Sequence, residues 1–177
     1  MHSIDIFVQN YFSLARTPFA TEFLYILTSL FNVSLYSALL TLFTTYLIYL
    51  VRNIRYAVLF LSSLAAGVIA VYFLKMFFNV ARPTDFVFVA HGQSFPSYHA
   101  TIASIFFIML MYIFDDYFSS FFRIIFNTLS ILAIFAIAFS RIYLGVHWVS
   151  DVVFGVLLGA LVSYISIRLF RSFESRL

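Results

Sequence analysis

Three short groups of polar side chains stand at the ends of long apolar stretches. The groups are Lys75 with Arg82, Ser97 with Tyr98 and His99, and Arg141 with His147 and Asp151. On insertion scales a charge at the middle of a bilayer costs about 2.5–3.5 kcal/mol, so such residues are expected to be few, paired and functional. Together these groups offer cations, a carboxylate and two imidazoles.

The first two groups suit the binding of an anion. Lys75 and Arg82 are two helical turns apart and could point the same way, although Pro83 disfavours helix at Arg82. Ser97 is predicted to cap a helix whose free N–H groups and positive dipole end favour phosphate, with His99 in the first turn. Snorkelling interfacial cations and an ordinary capped helix with an interfacial histidine remain alternatives.

The third group suits nucleophilic chemistry. His147 and Asp151 are four residues apart and hence neighbours on one helix face. A carboxylate that accepts a hydrogen bond from one imidazole nitrogen leaves the other nitrogen as a nucleophile or base. A polar pair packed inside a helical bundle is the alternative. Taken with the cations and His99, the pair predicts phosphoryl transfer through a covalent phosphohistidine.

Composition gives the setting for this chemistry. Of the 177 residues, 64% are apolar, 21% are aromatic and only 10% are charged. A soluble domain is about 45–50% apolar and about 25% charged, so a cytosolic enzyme, a nucleic-acid binder and a disordered linker are excluded. The net charge of +3 is small and scattered, and the absence of cysteine excludes thiol chemistry. The composition predicts an integral membrane protein.

The elements that must carry these groups are membrane-spanning helices, which need about 20 apolar residues each. Five stretches qualify: Val33–Val51, Tyr56–Phe78, Ser97–Phe114, Ser120–Phe139 and Trp148–Phe170. Residues 1–31 are predicted to form one or two interfacial helices or a short sixth span, and they lack the features of a signal peptide. We therefore expect one all-α domain over 1–177, with residues 33–170 as the transmembrane core and the motifs between 75 and 151.

Basic residues predict the orientation. If the spans alternate, most basic side chains outside the three groups fall on one side: Arg52, Arg55, Arg123, Arg168, Arg171 and Arg176. The positive-inside rule makes that side cytoplasmic. Segments 79–96 and 141–147 should then face outward.

The three groups resemble a known family, the membrane type 2 phosphatidic acid phosphatases. Lys75, six residues and Arg82-Pro83 look like its first signature, and Pro96-Ser97-Tyr98-His99 resembles its second, Pro-Ser-Gly-His. Ser140-Arg141, five residues, His147, three residues and Asp151 look like the third. The signatures occur in the family's order over under half of the chain. Tyr98 departs from the pattern, because the family usually has glycine there.

The resemblance implies catalytic roles for three residues. His147 would attack phosphorus and become phosphohistidine, and Asp151 would orient it and stabilise its cationic form. His99 would protonate the leaving oxygen and then help to activate water.

The resemblance also implies a phosphate-binding set without a metal or another cofactor. Lys75, Arg82 and Arg141 would hold the phosphate oxygens together with Ser97 and nearby backbone N–H groups, including that of Tyr98. These cations would supply the charge stabilisation that magnesium gives elsewhere. If position 98 required a positive φ, tyrosine would be strained there.

The predicted function is that of a bacterial lipid phosphatase in the cytoplasmic membrane, with its site on the outer face. The favoured substrates are undecaprenyl diphosphate and phosphatidylglycerol phosphate, with phosphatidate and a lipid A phosphate also considered. A transporter of lipid headgroups and a degenerate, lipid-binding family member disabled by Tyr98 are the alternatives. The partners expected are the bilayer and its phospholipids, not nucleic acid, and the oligomeric state is left open.

Overall fold

The computed structural model describes residues 3–88 and 90–175, so that Arg176 lies outside the described residues. This part of the chain forms seven α-helices and no strand. They are α1 (Ser3–Ala15), α2 (Pro18–Ser29), α3 (Leu35–Val51), α4 (Ile54–Phe78), α5 (Tyr98–Ile113), α6 (Ser120–Tyr143) and α7 (Val149–Glu174). The all-α prediction is confirmed.

Three helices are long and apolar enough to cross a membrane. These are α4, α6 and α7, with 25, 24 and 26 residues. Helices α3 and α5 coincide with predicted spans but have only 17 and 16 residues. Length and composition therefore establish three membrane-spanning helices, fewer than the five that the sequence predicts. The main difference in bounds is that α6 and α7 end beyond Phe139 and Phe170.

Helix α5 lies at the centre of the bundle and packs on α4, α6 and α7. Its contact with α7 depends on two small residues one turn apart. A Cβ at Gly155 would lie 2.8 Å from the carbonyl oxygen of Ser97, and one at Gly159 would lie 2.6 Å from that of Thr101. The spacing predicts this close packing, since small residues let helix backbones approach.

The first two helices are too short to span a bilayer and pack beside the motif-bearing end of α6 and α7. Helices α1 and α2 have 13 and 12 residues, against about 17–25 needed for a span. Helix α1 buries Asp5 and Gln9 and exposes apolar side chains such as Phe7 and Leu14. Asp5 accepts hydrogen bonds from the N–H and hydroxyl of Ser150, at 3.0 and 2.9 Å. The N-terminal region is therefore two short helices, and α1 turns the polar Asp5 and Gln9 toward the protein.

The two ends of the bundle differ in chemistry. At one end, Arg52 at the end of α3 bonds to Asp116 in the α5–α6 connection, with Nη1 2.6 Å from Oδ1. Arg171 of α7 packs over the ring of Tyr112 at the same end, 5.1 Å from its centroid. The opposite end carries the N-termini of α5 and α7 and holds the three predicted groups.

Candidate active site

A cavity of about 830 Å³ opens at the motif-bearing end. Six of the predicted site residues line it, namely Lys75, Arg82, Tyr98, His99, Arg141 and His147. The other two, Ser97 and Asp151, are buried behind it, and the Ser97 N–H donates to the Asp151 carbonyl oxygen at 3.1 Å. All eight predicted residues thus come together at one end of the bundle.

A tight turn after α6 brings His147 next to Arg141. Gly145 has φ +74, a left-handed conformation that glycine adopts without steric cost. The N–H groups of Val146 and His147 then donate back to the Arg141 carbonyl oxygen, at 3.2 and 3.3 Å. A Cβ at Gly145 would collide with the backbone oxygen of Asp85. The close approach of His147 to Arg141, six residues earlier in the chain, therefore depends on Gly145.

The imidazole of His147 has two different sides. Its Nδ1 lies 3.5 Å from Oδ2 of Asp151 and 3.3 Å from Oγ of Ser94, and the Ser94 hydroxyl also donates to Asp151. The same carboxylate accepts from the Trp148 N–H at 2.9 Å. Its Nε2 lies 3.1 Å from Nη1 of Arg82. This arrangement favours hydrogen on Nδ1 and leaves the lone pair of Nε2 facing the Arg82 guanidinium.

The electrostatic surroundings keep His147 neutral. It lies in the connection between α6 and α7 and is only 2% exposed. Burial, and after it the neighbouring Arg82 guanidinium, lower the pKa of His147 well below 6.5. An uncharged imidazole at neutral pH is the form that can act as a nucleophile.

Lys75 and Arg82 hold the loop that leads into α5. Nζ of Lys75 donates to the Gln93 carbonyl oxygen at 2.7 Å. Arg82 donates to the carbonyl oxygens of Gly92 and Val146, at 3.0 and 2.7 Å. Both cations therefore line the cavity while they bind backbone oxygens.

Arg141 and His99 form side-chain hydrogen bonds with α2 and with the turn that follows it. Nη1 of Arg141 donates to Oγ1 of Thr28 at 3.1 Å, and the guanidinium lies 5.6 Å from the centroid of the Phe88 ring. Nε2 of His99 lies 2.7 Å from Oδ1 of Asn32. Nε of Arg141 is buried, and it has no hydrogen-bond partner among the described residues.

The start of α5 explains how tyrosine is accommodated at position 98. Ser97 is the N-cap residue, as predicted, but its side chain makes no capping hydrogen bond. Its Oγ is buried without a partner among the described residues. Tyr98 is the first helical residue, and among the described residues Asn79 is the one non-glycine with positive φ. The strain that a positive φ would impose on Tyr98 does not arise.

Several contacts in this region were not anticipated. Thr28 and Asn32 belong to no sequence motif, and Ser94 stands beside a motif without being part of its pattern. Asp85 is another such residue: it is exposed and bonds to Arg16 of α1, with Nη1 3.4 Å from Oδ2. The long separation between these two residues hides the pair from local sequence patterns.

Two polar residues of the loop before α5 take different positions. His91 borders the cavity, and its carbonyl oxygen accepts from Arg82 at 3.3 Å. Gln93 bonds to Asn79 instead, with Nε2 3.1 Å from Oδ1.

An apolar groove of about 470 Å³ adjoins the cavity between α3, α4 and α5. Val33, Ser34, Val68 and Tyr98 line both spaces. Tyr98 therefore stands where the polar and the apolar space meet.

Metal ligands are not grouped in the described part of the chain. No cluster of three or more His, Asp or Glu side chains with ligand spacing occurs there. The polar groups around the cavity are mostly donors, which suits an anion better than a cation.

Comparisons with known proteins find two solved structures with a similar fold. Over 99% of this chain and 86% of the other, the fold is similar to the crystal structure of the first transmembrane PAP2 type phosphatidylglycerolphosphate phosphatase from Bacillus subtilis, with a TM-score of 0.86 and 24% identity. The crystal structure of Aquifex aeolicus LpxE is similar over 94% of this chain and 96% of the other, with a TM-score of 0.78 and 23% identity. Among curated protein sequences no relative matches. The sequence profile of the PAP2 superfamily matches residues 55–174, which include all eight predicted site residues, and this integral membrane protein belongs to that superfamily.

Proposed function

We propose that the protein is a lipid phosphatase that works through a phosphohistidine at His147. The observation that carries the proposal is the two-sided environment of this imidazole. Nδ1 lies against the Asp151–Ser94 pair, and Nε2 lies 3.1 Å from Arg82 on a cationic cavity. A nucleophile with its tautomer held on one side and anion-binding groups on the other suits attack on a phosphate ester.

The proposed reaction has two steps. Nε2 of His147 forms a bond to phosphorus as the bond to the lipid oxygen breaks, and His99 gives that oxygen a proton. Water then attacks phosphorus and gives a proton to His99, and phosphate leaves His147. Asp151 stabilises the cationic phosphohistidine between the steps.

Three cations are proposed to hold the phosphate oxygens in both steps. Lys75, Arg82 and Arg141 line the same cavity. The unpartnered Nε of Arg141 and Oγ of Ser97 are further donors whose burial would be costly without an anion to bind. We propose that these donors replace a metal ion, so that chelators leave the activity intact.

The substrate is proposed to be a membrane lipid whose phosphate enters the cavity while its tail stays in the adjoining groove. The groove between α3, α4 and α5 is apolar and continuous with the cavity at Tyr98. Phosphatidylglycerol phosphate and undecaprenyl diphosphate remain the favoured lipids. One structurally similar protein is a phosphatidylglycerolphosphate phosphatase, which supports the first of them.

We further propose that α3 and α5 also cross the bilayer, which makes five spans. Both are apolar, and α5 lies between three other helices, so protein rather than lipid surrounds much of it. The site would then lie on the outer face of a bacterial cytoplasmic membrane.

The decisive test is phosphate release in detergent with excess EDTA. Four lipids serve as substrates: undecaprenyl diphosphate, phosphatidylglycerol phosphate, phosphatidate and a lipid A phosphate. Wild type should release phosphate from at least one, and His147→Ala should lose at least about 10³-fold in rate, as expected for loss of a nucleophile. The control is Thr84→Ala, a truncation at an exposed loop position that does not line the cavity.

Either of two results would overturn the proposal. Full activity of His147→Ala would exclude the phosphohistidine. No release from any lipid by wild type would favour headgroup transport or a degenerate lipid-binding protein, and Tyr98→Gly would then be the first variant to test for restored activity.

A further inference from the structure

Asn32 lies in the turn between α2 and α3, directly against one of the predicted catalytic residues. Its Oδ1 is 2.7 Å from Nε2 of His99, and both residues line the main cavity. Its neighbour Phe31 is buried in the hydrophobic core, and Ser34 caps α3. The turn is thus held on both sides of Asn32, which fixes where the amide can reach.

We propose that Asn32 is the positioning residue for the general acid His99. The inference rests on the proposed function. The amide oxygen accepts from the Nε2–H of His99, which fixes the orientation of the ring and favours its protonated form over the neutral one. Asn32 acts through His99 and takes no proton itself.

The chemistry explains why such a partner is useful. In the first step the His99 imidazolium gives its Nδ1 proton to the leaving oxygen as the P–O bond breaks and the bond from His147 to phosphorus forms, while Nε2–H stays bonded to Asn32. His99 is itself only 8% exposed and shares the cavity with three cations, all of which disfavour a positive ring. A fixed carbonyl dipole against Nε2 offsets part of that cost.

A second contact from the same region supports the assignment. Thr28, at the C-terminal end of α2, accepts a hydrogen bond from Arg141 at 3.1 Å and is 1% exposed. Helix α2 and the turn after it therefore contact two residues of the site. Both Thr28 and Asn32 precede residues 55–174, the region that the family profile matches.

The test compares leaving groups, because a purely structural residue would affect all substrates alike. An alkyl phosphate such as phosphatidate needs a proton on its leaving oxygen, whereas p-nitrophenyl phosphate has a leaving group that departs readily without one. The quantity measured is kcat/KM, which reports the step that breaks the P–O bond. The variants are Asn32→Leu, which removes the acceptor, and Asn32→Asp, which keeps an oxygen at the same position.

For Asn32→Leu we expect a loss of about 10²-fold on a lipid phosphomonoester that wild type hydrolyses and less than about fivefold on the aryl phosphate. Asn32→Asp should stay within about tenfold of wild type on both. The control Asn10→Leu makes the same change at an exposed position of α1 and should be unchanged. Thermal unfolding in detergent checks that each variant is folded, and Asn32→Ser replaces Asn32→Leu if the latter does not fold.

Three results would overturn the inference. They are wild-type activity in Asn32→Leu, equal losses on both substrates, and an Asn32→Asp variant as inactive as Asn32→Leu. If wild type does not turn over the aryl phosphate, the contrast between the leucine and aspartate variants decides. If wild type releases phosphate from no lipid, the proposed function itself is refuted. This result differs from the three above, so failure of the inference and failure of the proposed function can be told apart.

Discussion

At the scale of the residue, the surroundings of His147 determine the pH range in which it can act. Burial and the Arg82 guanidinium lower the pKa of His147 below its ordinary value of 6.5. The imidazole therefore stays neutral as pH falls through 6.5, and nucleophilic activity should be lost only below that pH. We expect the acid limb of kcat/KM to lie below about pH 6.5.

A pH series of initial rates measures this limb, with the titration of the lipid phosphate followed separately by ³¹P NMR. The prediction is contradicted if kcat/KM already falls with decreasing pH above 6.5 and the titration of the lipid phosphate does not account for that fall.

Ser94 gives a second prediction at the same scale. Its hydroxyl joins Nδ1 of His147 to the carboxylate of Asp151, and its side chain is fully buried. Ser94→Ala should lower kcat about tenfold, the effect of about 1.4 kcal/mol from one lost hydrogen bond. Ser13→Ala, on the exposed side of α1, is the control. Steady-state kinetics with the best lipid decide, and an unchanged kcat would show that Ser94 does not support the pair.

The residues of the site differ in how far sequence alone could predict them. Lys75, His99 and His147 are ionisable residues in an apolar sequence, so their cost in a membrane marks them. Asn32 and Thr28 are ordinary polar residues whose partners are 67 and 113 positions away. Only the packing of α2 against α6 brings them to the site, and no local pattern encodes that packing.

At the scale of the element, the contact between α5 and α7 positions both halves of the site. Helix α5 carries His99 and α7 carries Asp151. Gly159→Val should destabilise the protein by about 1–3 kcal/mol, because the added atoms would meet the backbone of Thr101 rather than a flexible side chain. Thermal unfolding in detergent should show a lower Tm, with a parallel loss of activity.

The control for this change is Ala66→Val, the same kind of enlargement at an exposed position of α4. If Gly159→Val unfolds at the same temperature as Ala66→Val, then α7 does not depend on close approach at this turn.

The helices themselves were largely predictable, because long apolar stretches leave few other structures for a chain in a membrane. The end of α6 was not, since the polar pair Ser140 and Arg141 favours an end at Phe139, whereas the helix continues to Tyr143 and the chain turns at Gly145. The arrangement of α1 was also hidden. It buries Asp5 and Gln9 against the protein and exposes apolar side chains, the reverse of the pattern that is typical of a helix on a soluble domain.

At the scale of the whole molecule, the bundle has two ends that should lie on opposite sides of the membrane. The sequence contains no cysteine, so single cysteines can report each end. Thr84 is exposed in the loop beside the cavity, and Ser119 is exposed at the start of α6 at the other end. In intact cells an impermeant thiol reagent should label Thr84→Cys, and it should label Ser119→Cys only after permeabilisation.

The cysteine-free wild type is the blank, and retained phosphate release shows that each variant is folded. Labelling of Ser119→Cys but not Thr84→Cys in intact cells would place the site on the cytoplasmic side.

The bonds of Lys75 and Arg82 to backbone oxygens have a consequence for turnover. Both cations already bind carbonyl groups of the loop, at 2.7–3.0 Å for the shortest contacts. A phosphate that enters must displace these carbonyl acceptors or share their N–H donors, so its net binding energy is a difference between two sets of bonds. The free phosphate product has no lipid tail, so it gains no further binding energy from the apolar groove. It should therefore dissociate readily, and product inhibition should be weak even in a site built for anions.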